Sequence, residues 1–168
     1  HIVAVNRKSL PGALAARTGT RSIVLDCDLR RASLHQTLGV SNDVGLSNYL
    51  SGQAELEDVI ELHPSTGLHY ISAGARVPHP TDLLGSPRMQ ALLQQLSMTY
   101  DSIILDTPPL LAVSDALVLV RAVDRVVFVV RWEKTRRESV IASVKQIAEA
   151  GANIGGLILS QVDLRKQS

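Results

Sequence analysis

The chain has 168 residues, of which 45% are hydrophobic, 20% charged and 3% aromatic, and its formal net charge is +1. That length suits one domain with a single sizeable core, and the balance excludes a chain that is mainly disordered or collagen-like. One cysteine allows no internal disulfide, a charge near zero gives no broad basic field for nucleic acid, and so few aromatics leave no base-stacking platform.

The most apolar region, Ile103 to Val130, is broken by Asp106, Pro108, Pro109, Asp115, Arg121, Asp124 and Arg125, so it does not read as a membrane span. The chain begins at His1 rather than Met, directly before an apolar run. It is expected to be a fragment of a longer protein that lacks N-terminal and C-terminal parts, with residues 1–168 forming a single domain.

Ile2-Val3-Ala4-Val5 reads as a short buried strand. Gly12 to Thr18 reads as a short helix stopped by Gly19. Ser22-Ile23-Val24-Leu25-Asp26 is a second strand, continuously apolar as in a sheet covered on both faces. Small elements follow around Leu46 to Leu50 and Leu56 to Ile60, with a strand at Leu68 to Ile71. The two prolines of Pro78 to Thr81 mark an irregular surface loop. Ser86 to Ser97 is a helix with Pro87 in its first turn and with Met89, Leu92, Leu93 and Leu96 on one face. Ser102 to Leu105 is a strand closed by Asp106-Thr107-Pro108-Pro109. Ser114 or Asp115 caps a helix to about Ala122. Val126 to Val130 is a strand, Thr135 to Ala150 an amphipathic helix, and Gly156 to Leu159 the last strand. Strands alternating with helices predict an α/β fold with a mostly parallel sheet flanked by helices.

In such a sheet, ligands bind beyond the carboxyl ends of the strands. Asp26 and Asp28 close one strand and Asp106 closes another. Spacing by two places Asp26 and Asp28 on one side if the stretch is extended. Singly, each aspartate reads as a turn cap. Together, three carboxylates at one edge suit Mg²⁺, which takes oxygen ligands from one or two carboxylates, phosphates and water.

Ile23-Val24-Leu25-Asp26-Cys27-Asp28-Leu29-Arg30-Arg31 resembles the second nucleotide motif (Walker A′) of the bacterial protein-tyrosine kinases. Ile103-Ile104-Leu105-Asp106-Thr107-Pro108-Pro109 resembles their Walker B. Gly45-Leu46-Ser47-Asn48-Tyr49-Leu50-Ser51-Gly52, Asp82-Leu83-Leu84-Gly85-Ser86, and Val129-Val130-Arg131 with Thr135-Arg136-Arg137-Glu138 are similar to the family too. The resemblance covers about residues 20 to 163.

It implies a three-layer fold of the P-loop NTPase type, and ATP-dependent transfer of a phosphoryl group to tyrosine in control of capsular and exopolysaccharide synthesis. ATP and Mg²⁺ are the implied cofactors. By position, Asp26 would help hold Mg²⁺, Asp28 would accept the tyrosine proton, Asp106 would orient the metal through water, and Arg30 would join the catalytic set. Further implications are a membrane protein of the chain-length-determinant type as partner or as a segment of the same chain, a tyrosine-rich tail as substrate, possible homo-oligomers, and a place at the cytoplasmic face of the bacterial membrane. No nucleic acid is implied.

The chain departs from the family in three places. After the first strand the family has a G-x-x-x-x-G-K-[ST] loop whose backbone N–H groups cradle phosphates. Here the segment reads Asn6-Arg7-Lys8-Ser9-Leu10-Pro11-Gly12-Ala13, similar to the loop's entry but without its Gly-Lys-Ser/Thr. Lys8, Ser9 and Gly12 are the candidates left for phosphate. A helix from Gly12 to Thr18 spans only ~10 Å against ~17–20 Å for an ordinary strand, so it is too short to return along one, and about ten residues of the family pattern are absent after Gly12. Second, Ser160 stands where the family has an asparagine near the adenine, and a hydroxyl cannot present an amide's paired donor and acceptor. Third, the chain ends without the tyrosine cluster, and Tyr49, Tyr70 and Tyr100 are scattered. Tyr100, just before a strand, reads as packing. Two rivals to an active kinase follow: a catalytically impaired relative acting as an interaction module, and an ATPase of the cell-division or partitioning type.

Overall fold

The computed structural model describes residues 2–6 as backbone, and residues 21–108 and 115–162 in full. Its strands are β1 (Ile2–Asn6), β2 (Ser22–Asp26), β3 (Glu61–Leu62), β4 (His69–Ile71), β5 (Ser102–Thr107), β6 (Arg125–Arg131) and β7 (Ile154–Ser160). Its helices are α1 (Leu34–Leu38), α2 (Leu46–Leu50), α3 (Leu56–Val59), α4 (Pro80–Leu84), α5 (Pro87–Thr99), α6 (Asp115–Val120) and α7 (Arg137–Glu149). The expected helix from Gly12 to Thr18 lies outside the described residues.

The strands form one seven-stranded sheet in the order β3-β4-β2-β5-β1-β6-β7. Strand β2 is parallel to β4 and β5, and β6 is parallel to β7. The fold is thus α/β, with a mostly parallel sheet and flanking helices. Two strands run against the rest: β3 at the edge, and β1 between β5 and β6.

Strand β1 is an exception within the expected mostly parallel sheet, antiparallel to both of its neighbours. Asn6 lies beside Ile103, and Ser22 lies beside Ser102. The end of β1 and the start of β2 therefore share one edge of the sheet. A parallel arrangement needs a crossover of a dozen or more residues, usually helical, to carry the chain back. The connection here, residues 7–21, is near the lower end of that length, and an antiparallel β1 needs no crossover.

Continuous apolar strands and one-faced helices build the core. Ile23, Leu25, Ile103 and Leu105 of β2 and β5 pack with Leu46 and Leu50 of α2 and with Met89, Leu92, Leu93 and Leu96 of α5. The predicted face of α5 is the buried one. Each fully buried Leu contributes roughly 1.5–3 kcal/mol. Helix α5 starts as its sequence demands: the Ser86 hydroxyl accepts from the Met89 N–H at 3.3 Å, and Pro87 fills the first helical position. A second cluster joins Val126 and Phe128 of β6 to Ala116, Val120 and Ile147 of α6 and α7.

Another expectation changes at Pro78 to Thr81. Pro80 is not in an irregular loop but opens α4, with Asp82 in its first turn. A proline at the first helical position loses nothing, because its missing N–H would have no partner there. Among the described residues no helix is long and apolar enough to cross a membrane.

Candidate functional site

Parallel pairing of β2 with β5 sets Asp26 directly opposite Asp106 at the carboxyl end of both strands. Paired residues on adjacent strands share a face, so these carboxylates are neighbours one strand spacing apart, ~4.8 Å. The ladder extends one step further: the Cys27 N–H donates to the Asp106 carbonyl at 2.8 Å. Asp28 follows on the exit from β2.

Asp26 is fully buried and organises that exit. Its Oδ1 accepts the Asp28 N–H at 3.1 Å. Its Oδ2 accepts the N–H groups of Ser33 at 3.1 Å and Leu34 at 3.0 Å, at the entry to α1. Asp28 is also buried, and its Oδ1 accepts the Arg31 N–H at 2.9 Å. The loop that carries both aspartates is held by the aspartates themselves.

Burial pushes the Asp26 carboxyl up, the three backbone N–H groups pull it down, and the Asp28 charge adds to the rise; the net shift is upward. Burial also pushes the Asp106 carboxyl up, and the charges of Asp26 and Asp28 add to the effect, so that it titrates at about 6. Cys27, wholly buried between these carboxylates, has its thiol pushed up by burial and by all three charges, which makes it a poor nucleophile.

The cluster concentrates negative charge that a divalent cation would relieve. It is not a closed cage: among the described residues no three His, Cys, Asp or Glu side chains gather to hold a metal by themselves. An ionised carboxylate has about four lone-pair sites, and three of Asp26's accept backbone N–H groups. That chemistry fits Mg²⁺, which uses one or two carboxylates and completes its octahedron with water and phosphate.

The other candidates are spread out. Ser160 ends β7 opposite Arg131, and its hydroxyl donates to the Val130 carbonyl at 3.4 Å. It shares the carboxyl edge with Asp106 but lies three strand positions away, ~14 Å along the sheet. Lys8, Ser9 and Gly12 lie outside the described residues. The strand that leads to them ends at the sheet edge opposite to Asp26 and Asp106.

Arg30 is held firmly. Its Nε donates to Asp115 Oδ2 at 2.6 Å and its Nη2 to Asp115 Oδ1 at 3.2 Å, while the Thr81 hydroxyl donates to the same Oδ1. The sequence pointed to Asp115 only as a helix cap. Thr81 and Asp115 are additions to the site that only the fold reveals.

The tyrosines are buried, as packing was expected for Tyr100. The Tyr100 hydroxyl is 2.9 Å from His69 Nδ1, the Tyr70 hydroxyl donates to Glu61, and the Tyr49 ring lies under the Arg88 guanidinium, 4.6 Å from its centroid. Burial and the Glu61 hydrogen bond and charge push the Tyr70 phenol up to about 12. The Tyr70 and Tyr100 hydroxyls are thus engaged in hydrogen bonds, and all three side chains are buried.

No family model matches the chain. It is 40% identical over 150 residues to the tyrosine-protein kinase etk of Escherichia coli K12, covering 89% of this chain and 21% of that protein. The chain thus spans about a fifth of the length of that curated relative. The solved kinase domain of E. coli ETK superposes with a TM-score of 0.89 at 39% identity, covering 94% of this chain and 62% of that one. The VpsO kinase domain superposes with a TM-score of 0.84 at 34% identity, covering 90% of this chain and 75% of that one. The septum site-determining protein MinD of Pyrococcus horikoshii, solved with Mg-ADP, shares the fold at a TM-score of 0.70 and 23% identity. With the in-register aspartates and the P-loop NTPase-like sheet, these likenesses show that the chain belongs to the bacterial tyrosine-protein kinase family.

Proposed function

We propose that this chain is the nucleotide-binding domain of an ATP-dependent protein-tyrosine kinase that regulates capsular or exopolysaccharide synthesis. The observation that carries the reading is the pairing of Asp26 with Asp106 at the carboxyl edge, with Asp28 beside them. Phosphoryl transfer needs little covalent help from a protein; positioning and charge stabilisation supply most of the catalysis.

Asp26 and Asp106 would hold Mg²⁺, which when bound neutralises charge on the β- and γ-phosphates. Asp28 would take the proton of the acceptor hydroxyl as the tyrosine oxygen bonds to the γ-phosphorus and the bond to the β–γ bridging oxygen breaks, leaving ADP. Ser160 would stand near the base, and Lys8, Ser9 and Gly12 near phosphate. Since the three tyrosines of this sequence are buried, the acceptor would be a tyrosine-rich segment beyond these 168 residues or on another chain. A membrane protein of the chain-length-determinant type would place the domain at the cytoplasmic face of the membrane, alone or as a homo-oligomer.

The test is incubation with Mg-ATP and a tyrosine-containing copolymer, with phosphotyrosine as the readout. Asp28→Asn should abolish transfer while nucleotide affinity stays within a few-fold of wild type. Equal transfer by wild type and variant removes Asp28 from the chemistry.

A second reading, a catalytically impaired relative acting as an interaction module, is favoured by the direction of β1. That strand leaves the sheet at the edge away from the aspartates, whereas a phosphate-cradling loop would have to lie at theirs. A folded sample that binds no Mg-ADP would decide for it.

A further inference from the structure

Asp115 is 1% exposed, which is costly for a carboxylate unless it is paired and fully hydrogen-bonded. It stands at the first position of α6, where the helix N-terminus favours negative charge. Burial pushes its carboxyl up, but the hydrogen bonds from Arg30 and Thr81 and the Arg30 charge outweigh this and leave it below the usual range. It is therefore an anion with two partners, from segments far apart in the chain: Arg30 on the exit from β2 and Thr81 in α4.

Arg30 is gripped along one edge only. A guanidinium has five N–H donors in a rigid fork. Asp115 takes Nε and one hydrogen of Nη2, and no other hydrogen bond from this side chain is found among the described residues. The Arg30 side chain remains 42% exposed, and its guanidinium lies within reach of the Asp28 charge. The donors turned away from Asp115 are thus fixed in direction and open, two residues on from Asp28.

We infer that Asp115 is a positioning residue: with Thr81 it locks the Arg30 guanidinium so that its open edge receives phosphoryl oxygens beside Asp28. This rests on the phosphoryl-transfer reading of the site. Fixed donors aimed where charge develops need no reorganisation during the reaction, and small misplacements of such groups can cost a hundredfold in rate. The buried carboxylate ties the exit from β2, the start of α4 and the start of α6 into one support for that arginine.

The test uses Asp115→Asn, Arg30→Lys and the double variant, with Thr81→Val as a milder change that keeps the ion pair. Each is checked for folding by thermal melting. Phosphotransfer to the copolymer should fall ten- to hundredfold in kcat for Asp115→Asn, with KM for ATP within about threefold of wild type. Arg30→Lys should match it, and the double variant should be no worse than either single. Unchanged kcat in a folded Asp115→Asn, or multiplied losses in the double variant, overturns the inference.

A second readout is independent of turnover. Pyrophosphate should shift the ¹⁵N-¹H signal of Arg30 Nε, and its affinity should drop at least tenfold in Asp115→Asn and less in Thr81→Val. Affinity that is the same in all variants overturns the positioning role. If wild type makes no phosphotyrosine while pyrophosphate binding still depends on Asp115, the kinase reading falls and the positioning role stands. If wild type and Asp115→Asn make phosphotyrosine at equal rates, the positioning role falls and the kinase reading stands.

Discussion

Replacing Asp106 by asparagine should stabilise the ligand-free domain while removing function. In the folded chain Asp106 is raised from 3.8 to about 6 by burial and then by Asp26 and Asp28. At about 1.36 kcal/mol per unit, the ionised group costs the native state up to about 3 kcal/mol. The buried amide of asparagine takes back about 1 kcal/mol, leaving a net gain of about 2 kcal/mol, or roughly 4–8 °C in Tm for a domain of this size.

The gain has a defined pH window. A carboxyl whose folded pKa lies above its unfolded one binds more protons in the native state between the two values. Stability of the wild type therefore falls as pH rises from about 4 to 6 and is level above that. Asp26, also raised, acts in the same direction. Denaturant unfolding of both proteins from pH 4 to 8 without divalent cations should show curves that cross between about pH 4 and 5, with the variant about 2 kcal/mol more stable by about pH 7. Equal stability at pH 7.5, or a gap that is constant with pH, would refute the reasoning.

Gly45→Ala should destabilise the fold by about 3 kcal/mol or more, read as a lower denaturant midpoint. A Cβ there would sit 2.2 Å from the Ser72 carbonyl oxygen and 2.6 Å from the Gly74 nitrogen, both of them backbone. Leu92→Ala, at a fully buried position of α5, should cost about 2–5 kcal/mol with no change in the pH window of Asp106. Lys145→Ala should change stability by less than about 0.5 kcal/mol, because its pair with Glu149 at 3.8 Å is solvent-exposed.

Much of this fold is legible from hydrophobic spacing. The buried face of α5 follows from Met89, Leu92, Leu93 and Leu96, and β2 follows from Ser22 to Asp26 as an unbroken run. The aspartates stand out because they close apolar strands. Strand direction was not legible: Ile2 to Val5 has the same pattern read from either end, and only the length of the connection to β2 bears on the choice. Pro80 was misleading because two prolines within three residues suggest a loop, whereas the second one starts a helix. The link between Arg30 and Asp115 spans 85 residues. No local pattern encodes it, and Asp115 by itself looks like an ordinary helix start.

The paired aspartates Asp26 and Asp106, with Asp28, are proposed as a phosphoryl-transfer site. The most direct measurement is phosphotyrosine formed on a tyrosine copolymer by the 168-residue chain with Mg-ATP, alongside Asp28→Asn. Transfer is expected from the wild type and none above background from a folded Asp28→Asn that still binds Mg-ADP. Transfer at the same rate by both, or no transfer by a folded wild type that also fails to bind Mg-ADP, would contradict the proposal.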